Sequence, residues 1–318
     1  MRALVVTGPG ALSLQDVTRP SREGECLIRV RAAGICGTDL QILEGYAGFA
    51  GVPGHEFVGV VESAPPADAA WIGKRVVGEI NVGCGACAWC DRREEGHCPN
   101  RNVLGIRHRD GAFADFVTLP ARNLHAVPHS VDDETAVFAE PVAAACRVLE
   151  QMSITPGQRV AVVGDGRMGL IVAQVIKTVT SLVTVFGRHA PKLATARGLG
   201  LTTSASSGRP EPADRFDIVI DVTGRPEGFH RALDLVRPRG TVVLKSTFHG
   251  EARLESWPIV VNEVTLLGSR CGPFKPAIEL LASGAVRVKP LISRIATLED
   301  HGPAFADARR SLKVLFAM

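Results

Sequence analysis

This sequence has little net charge. Its 36 lysines and arginines nearly balance 33 aspartates and glutamates, leaving a formal +3. That is too small an excess to argue for a nucleic-acid partner or an anionic membrane. Long apolar runs are missing as well, and none approaches the length of a membrane span. The opening Met1-Arg-Ala-Leu-Val-Val-Thr-Gly reads as a strand, since it is too short for a secretory leader. There is no internal repeat and no low-complexity linker, only a polar loop over 204–210. What remains is a chain of 318 residues with 46% apolar and 22% charged content. That composition suits about two globular domains with real cores.

Cysteine is where the sequence is unevenly rich. Four of its eight cysteines fall in Cys84-Gly-Ala-Cys87-Ala-Trp-Cys90 followed by Cys98. Four thiolates this close can hold one tetrahedral ion, with no position left for water. Such a site builds structure and does no chemistry. Gly83 and Gly85 would let the backbone fold around the ion. Short C-x2-C spacing without secretory features favours metal over disulfides. Cys26, Cys146 and Cys271 read as small buried residues, and the whole fits a reducing, cytoplasmic setting.

The first part of the chain is strand-rich. Cys26-Leu-Ile-Arg-Val-Arg-Ala, Glu56-Phe-Val-Gly-Val-Val-Glu and Lys74-Arg-Val-Val-Gly-Glu are short, β-branched and separated by Gly or Pro. Such spacing predicts a small barrel. Near Pro141 the pattern changes. A helix is expected over 142–152, then the strand Arg159-Val-Ala-Val-Val-Gly, an apolar helix over 168–179, and further strands at Leu182-Val-Thr-Val-Phe, Phe216-Asp-Ile-Val-Ile-Asp and Thr241-Val-Val-Leu-Lys. Alternation of this kind implies a parallel α/β sheet. It breaks at Arg270-Cys-Gly-Pro. The division expected is therefore 1–141, 142–269, and a tail over 270–318 that returns to the first domain.

Gly164-Asp165-Gly166-Arg167-Met168-Gly169 fits G-x-G-x-x-G between an apolar strand and an apolar helix. That context is the one dinucleotide binding needs. The first glycine makes the tight turn, the second admits the pyrophosphate, and the third lets helix and strand pack. The second strand ends Val185-Phe186-Gly187-Arg188-His189, where an NAD site carries an acid for the ribose 2′-hydroxyl. No acid stands there. Gly187 would leave space, and Arg188, with His189 and Lys192 nearby, could grip a 2′-phosphate in a charge-assisted fork. NADP is the cofactor expected, ahead of NAD. Arg188 as a solvated charge, or stacked on adenine, is the alternative.

Three further short motifs supply candidate metal ligands: Cys36 in Gly34-Ile-Cys36-Gly-Thr38-Asp39, His55 and Glu56 after Gly54, and Glu140 before Pro141. One thiolate, one imidazole and one carboxylate can make a zinc site with an open position. Singly, each could be a buried thiol, a turn histidine or a surface acid.

Taken together, G-I-C-G-T-D, P-G-H-E, the four-cysteine lobe, E-P and the glycine-rich turn resemble the zinc-dependent medium-chain alcohol dehydrogenases. The sorbitol, threonine and glucose dehydrogenase branches are nearest in pattern, and the resemblance spans essentially the whole chain. It implies an α/β protein in which a GroES-like β-barrel catalytic domain is interrupted by a Rossmann doubly wound parallel sheet, with the active site in a cleft between them. It implies one catalytic and one structural zinc. Cys36 and His55 match catalytic zinc ligands, with Glu56 or Glu140 as the third. Thr38 matches the hydroxyl that takes the substrate proton, and Asp39 the acid that orients His55. The implied reaction moves a hydride between an alcohol carbon and nicotinamide C4, the metal acting as Lewis acid. The substrate implied is a small secondary alcohol or carbonyl, a polyol or sugar, handled by a homo-oligomer, dimer or tetramer. One departure stands out: Gln41 occupies the place where simple alcohol dehydrogenases carry the outer histidine of a proton relay. Lys245 and Arg270 could touch cofactor or substrate, or be ordinary surface charges.

Other readings differ in what they require. An NAD-dependent enzyme of simpler alcohols or ketones needs the same motifs. A non-catalytic dinucleotide-binding protein on this fold would tolerate eroded metal ligands, whereas Cys36, His55, Glu56 and Glu140 are all present. A zinc-free enoyl reductase would have no use for Cys36 and His55.

Overall fold

The computed structural model describes residues 1–205, 215–247 and 253–318. The polar loop expected over 204–210 lies outside the described residues beyond Ala205. By its internal contacts the chain forms two compact units, Met1–Glu140 with Leu291–Met318, and Pro141–Pro290. Among the described residues no helix is long and apolar enough to cross a membrane.

The first unit is built on a seven-stranded sheet. Its strands run in the order Ile292–Ala296, Lys313–Ala317, Cys26–Gly34, Glu56–Ser63, Arg75–Gly78, Leu124–Ala126, and Phe116–Leu119 also pairs with Cys26–Gly34. Cys26–Gly34 is the hub. Its first residues alternate buried and exposed, as a half-buried strand must, and its last three are all buried. Pairing is antiparallel throughout except between Ile292–Ala296 and Lys313–Ala317, which are parallel. Backbones approach closely at Gly59, where a β-carbon would fall 2.5 Å from Arg29 O. Phe113 anchors the core, stacking edge-on against Phe305 and Phe316 with ring centres 6.0 and 5.2 Å away. A fully buried side chain of this kind contributes roughly 1.5–3 kcal/mol.

The second unit holds a six-stranded sheet in the order Thr202–Ala205, Val183–Gly187, Val160–Val163, Phe216–Asp221, Val236–Leu244, Thr265–Gly268, every pair parallel. Counted along this unit the order is 3-2-1-4-5-6, the doubly wound arrangement. Val160–Val163 is buried along its whole length, as a central parallel strand should be. The helix Arg167–Lys177 is buried continuously from Gly169 to Ile176.

The tail divides differently from the expectation. Residues 270–290 pack with the second unit, and the return begins at Leu291. Two contacts account for this. A β-carbon at Gly272 would meet Ala143 O at 2.2 Å, so the segment lies directly on helix Ala139–Gln151. The Gln174 amide, buried in helix Arg167–Lys177, donates to Arg287 O at 3.2 Å and accepts from Arg287 N at 2.9 Å.

Candidate functional site

Cys36 ends the turn after strand Cys26–Gly34 and caps helix Gly37–Leu43. His55 follows a turn that only glycine can make. Gly54 has φ +99, and a β-carbon there would strike Phe113 Cδ1 at 2.6 Å. Glu56 opens the next strand, in register with Gly34. The ligand atoms of Cys36, His55 and Glu56 lie within 4.8 Å of one another, and His55 and Glu56 are buried. Glu140 does not belong to this group.

Asp39 holds two of these residues. Its Oδ2 accepts the Cys36 backbone N–H at 2.7 Å, and its Oδ1 lies 3.4 Å from His55 Nδ1. Both atoms of that second contact are buried without a sound hydrogen bond. Nδ1 therefore faces a carboxylate, which leaves Nε2 as the ring nitrogen for a metal. Burial opposes charge on His55, but Asp39 and Cys36 outweigh it and hold the imidazole well above its ordinary value. The same negative surroundings suit a divalent cation, and thiolate, imidazole and carboxylate donors suit zinc. Thr38 Oγ1 sits 3.9 Å from Cys36 Sγ, beside the same group.

Sequence reasoning missed Lys313. It is completely buried, and its ammonium donates to Glu56 Oε2 and, at 3.1 Å, to Ile35 O. The Phe138 ring lies 5.6 Å from Nζ. Gly34 makes the passage for this side chain, since a β-carbon there would lie 2.6 Å from Lys313 Cε. Glu56 is thus ion-paired on the side of the lysine while adjoining Cys36 and His55. Nothing in the strand Lys313-Val-Leu-Phe signals this role.

A second set of sulfurs comes together in the segment 84–98. Cys84, Cys87, Cys90 and Cys98 converge within 4.8 Å, and no cysteine is in a disulfide. Cys87 Sγ lies 3.6 Å from Cys90 Sγ and 3.7 Å from Cys98 Sγ. A tetrahedron with Zn–S bonds of about 2.3 Å has edges of about 3.8 Å, so the spacing fits zinc. Backbone N–H groups of Cys84 and Gly85 point at the sulfurs of Cys98 and Cys90. The Cys84 N–H pushes the Cys98 thiol down to about 7, while burial pushes Cys90 up to about 11. Gly83 is needed here, because a β-carbon would meet Cys90 Sγ at 2.7 Å.

In the second unit the glycine-rich turn has the shape its sequence implies. Gly164 has φ +126, and a β-carbon at Gly169 would lie 1.9 Å from Gly164 O. A β-carbon at Gly166 would meet nothing within 4 Å, so this side of the turn is open for a phosphate at the head of helix Arg167–Lys177. Arg167 and Met168 form that helix's first turn and are partly exposed.

Gly187 does not provide the vacancy expected of it. A β-carbon there would fall 2.5 Å from both Cβ and Oδ2 of Asp165. The Asp165 carboxylate fills that space and accepts the backbone N–H groups of Arg188 and His189, each at 2.7 Å. His189 Nδ1 lies 2.9 Å from its Oδ1. Burial works against the charge, but these hydrogen bonds outweigh it and hold the carboxyl below its ordinary value. Arg188 and His189 are exposed and Lys192 partly so. Lys245 donates to Ser269 Oγ at 3.3 Å and to Arg270 O, so its ammonium is engaged within the unit.

Known proteins share this fold. Residues 22–129 match the alcohol dehydrogenase GroES-like domain family, and residues 168–283 the zinc-binding dehydrogenase family. The chain is 33% identical to an erythritol/L-threitol dehydrogenase of Mycolicibacterium smegmatis, over 99% of this chain and 96% of that protein. Among solved structures, the alcohol dehydrogenase RspB of Escherichia coli CFT073, complexed with NADH, superposes with TM-score 0.92 at 28% identity, covering 100% and 99% of the two chains. A zinc-binding dehydrogenase of Sinorhizobium meliloti 1021 bound to NADP does so with TM-score 0.90 at 29% identity, covering 100% and 99%.

Proposed function

The chain belongs to the zinc-dependent medium-chain alcohol dehydrogenases, and from that premise we propose that it moves a hydride between a secondary alcohol, a polyol or sugar alcohol, and a nicotinamide dinucleotide. The observation that carries this is the grouping of Cys36, His55 and Glu56 with Asp39 behind them. Bound zinc would supply Lewis acidity toward the alcohol oxygen. Cys36 and His55 would hold it. Asp39 fixes the imidazole's orientation from behind, and Lys313 neutralises Glu56 on its buried side. Thr38, whose hydroxyl lies 3.9 Å from Cys36 Sγ, would take the alcohol proton and pass it outward. With Gln41 following in the helix, that transfer continues through water or another hydroxyl. The Gly164–Gly169 turn would hold the dinucleotide pyrophosphate.

Arg188 and Lys192 support NADP as the acceptor, and the Asp165 carboxylate supports NAD. The four-cysteine lobe would carry a structural zinc. Eight unpaired cysteines suit a reducing compartment, and we place the protein in the cytoplasm. It would act as a homo-oligomer. Thr265–Gly268 is the edge strand of its sheet among the described residues, preceded by a helix whose Trp257, Val260 and Val261 are 61%, 72% and 70% exposed. An open edge beside apolar side chains suits pairing with a second copy.

The test is a panel of polyols, aldoses and simple alcohols assayed with NAD and NADP, alongside metal analysis. Polyol or sugar turnover that falls with Cys36→Ser supports the reading. No turnover with any secondary alcohol under either cofactor rejects it.

A further inference from the structure

The end of the second strand is where a doubly wound unit of this kind reads the 2′ position of the adenosine ribose. No residue of that strand end is acidic, yet a carboxylate is there, delivered from the neighbouring glycine-rich turn. Asp165 is 6% exposed, and its β-carbon occupies the place where any side chain at Gly187 would begin. Its Oδ2 takes both successive N–H groups of Arg188 and His189 at the head of helix Ala190–Gly198. Successive N–H groups at a helix start are an anion-binding arrangement. Here the protein's own anion fills it. Its Oδ1 accepts from His189 Nδ1. A carboxylate has about four acceptor positions, and these three bonds leave about one.

We propose that Asp165 is the specificity-determining residue at the 2′ position, and that it favours NAD over NADP. This inference rests on the dinucleotide reading above and reverses the expectation drawn from Arg188. A 2′-phosphate would meet a buried negative charge and find the backbone donors already occupied. A 2′-hydroxyl can donate to the remaining acceptor position. The Arg188 side chain, unlike its backbone N–H, takes no part in this contact and is left to stack on adenine or face solvent.

Equilibrium binding of NADH and NADPH, followed by nicotinamide fluorescence, tests this without relying on turnover. The wild type should bind NADH about tenfold or more tightly than NADPH, a difference of about 1.4 kcal/mol or more. Asp165→Ser removes the charge and opens the backbone donors. It should shift the ratio of dissociation constants toward NADPH by about tenfold or more. Asp165→Asn keeps the shape, guards against misfolding of the serine variant, and should shift the ratio in the same direction. The wild-type comparison depends on neither variant. Tighter wild-type binding of NADPH, or a ratio that both variants leave unchanged, overturns this inference and leaves the dehydrogenase reading standing. Failure of the wild type to bind either dinucleotide overturns both.

Discussion

Replacing Lys313 with methionine should destabilise the first unit severely, although the substitution adds an apolar side chain to an apolar core. The ammonium is 0% exposed and its partner Glu56 is 1% exposed, so the pair is fully desolvated. Methionine fills nearly the same volume in the passage beside Gly34, so cavity and packing terms are small. What remains is a buried carboxylate that has lost its counter-ion and an Ile35 carbonyl that has lost its donor. Breaking such a pair on one side costs about 3–5 kcal/mol. For a unit of this size each kcal/mol moves the melting temperature by about 2–4 °C, so a fall of about 10 °C is expected. The companion variant is Glu56→Leu with Lys313→Met, which removes both charges. Replacing a buried ion pair with apolar groups is often nearly neutral, so the double variant should recover most of the loss. Urea and thermal unfolding of wild type, both single variants and the double variant form the cycle. If Lys313→Met costs less than about 1 kcal/mol, or the double variant is as unstable as the two singles combined, the desolvated-pair argument fails.

The two thiol-containing sets should hold two zinc ions per chain by elemental analysis. Cys87→Ser should lose one ion and much stability, while Cys36→Ser should lose activity and keep its fold; one zinc in a protein whose Cys36→Ser variant is fully active would contradict this. Thr38→Val exchanges the hydroxyl for a methyl at nearly constant volume and should lower kcat by about two to four orders of magnitude with dinucleotide affinity retained; near-normal turnover would take Thr38 out of the proton path. Burial alone would raise the Glu25 carboxyl, but Arg109, bonded to it at 2.6 and 2.8 Å, holds it below its ordinary value. A carboxyl lowered on folding adds stability above its unfolded pKa, so this contribution should fade as pH falls through and below the ordinary glutamate range, and Arg109→Gln should flatten that part of the stability–pH curve. Gly187→Ala should cost about 1–3 kcal/mol in thermal unfolding, because its methyl would overlap Asp165; an unchanged melting temperature would mean that Asp165 can move aside.

The parts legible in the sequence are those whose physics is local. Four cysteines within fifteen positions can enclose an ion with little help from the rest of the chain, and their sulfurs converge within 4.8 Å of one another. The glycine-rich turn is equally self-contained: φ at Gly164 and the approach of Gly169 to Gly164 O are settled within six residues. Alternating apolar strands and helices likewise announce a parallel sheet, and Phe216–Asp221 falls on the residues expected for it.

What was hidden depends on partners distant in the chain. The break at Arg270-Cys-Gly-Pro resembles a domain boundary, but the Gln174–Arg287 bonds, 113 residues apart, keep that segment with the second unit. Lys313 and Glu56 are 257 residues apart, and a lysine heading an apolar strand looks like an ordinary surface cation. Gly187 is the most instructive. A missing side chain reads as empty space when one strand is considered alone. In a parallel sheet the strand beside it ends in its own turn, and that turn can send a side chain across. Val163 pairs with Phe186, so the turn at 164–169 necessarily emerges beside the residues following Phe186. Asp165 reaches 187 by that route. The charge facing the end of a strand in such a sheet must therefore be read from both adjacent turns.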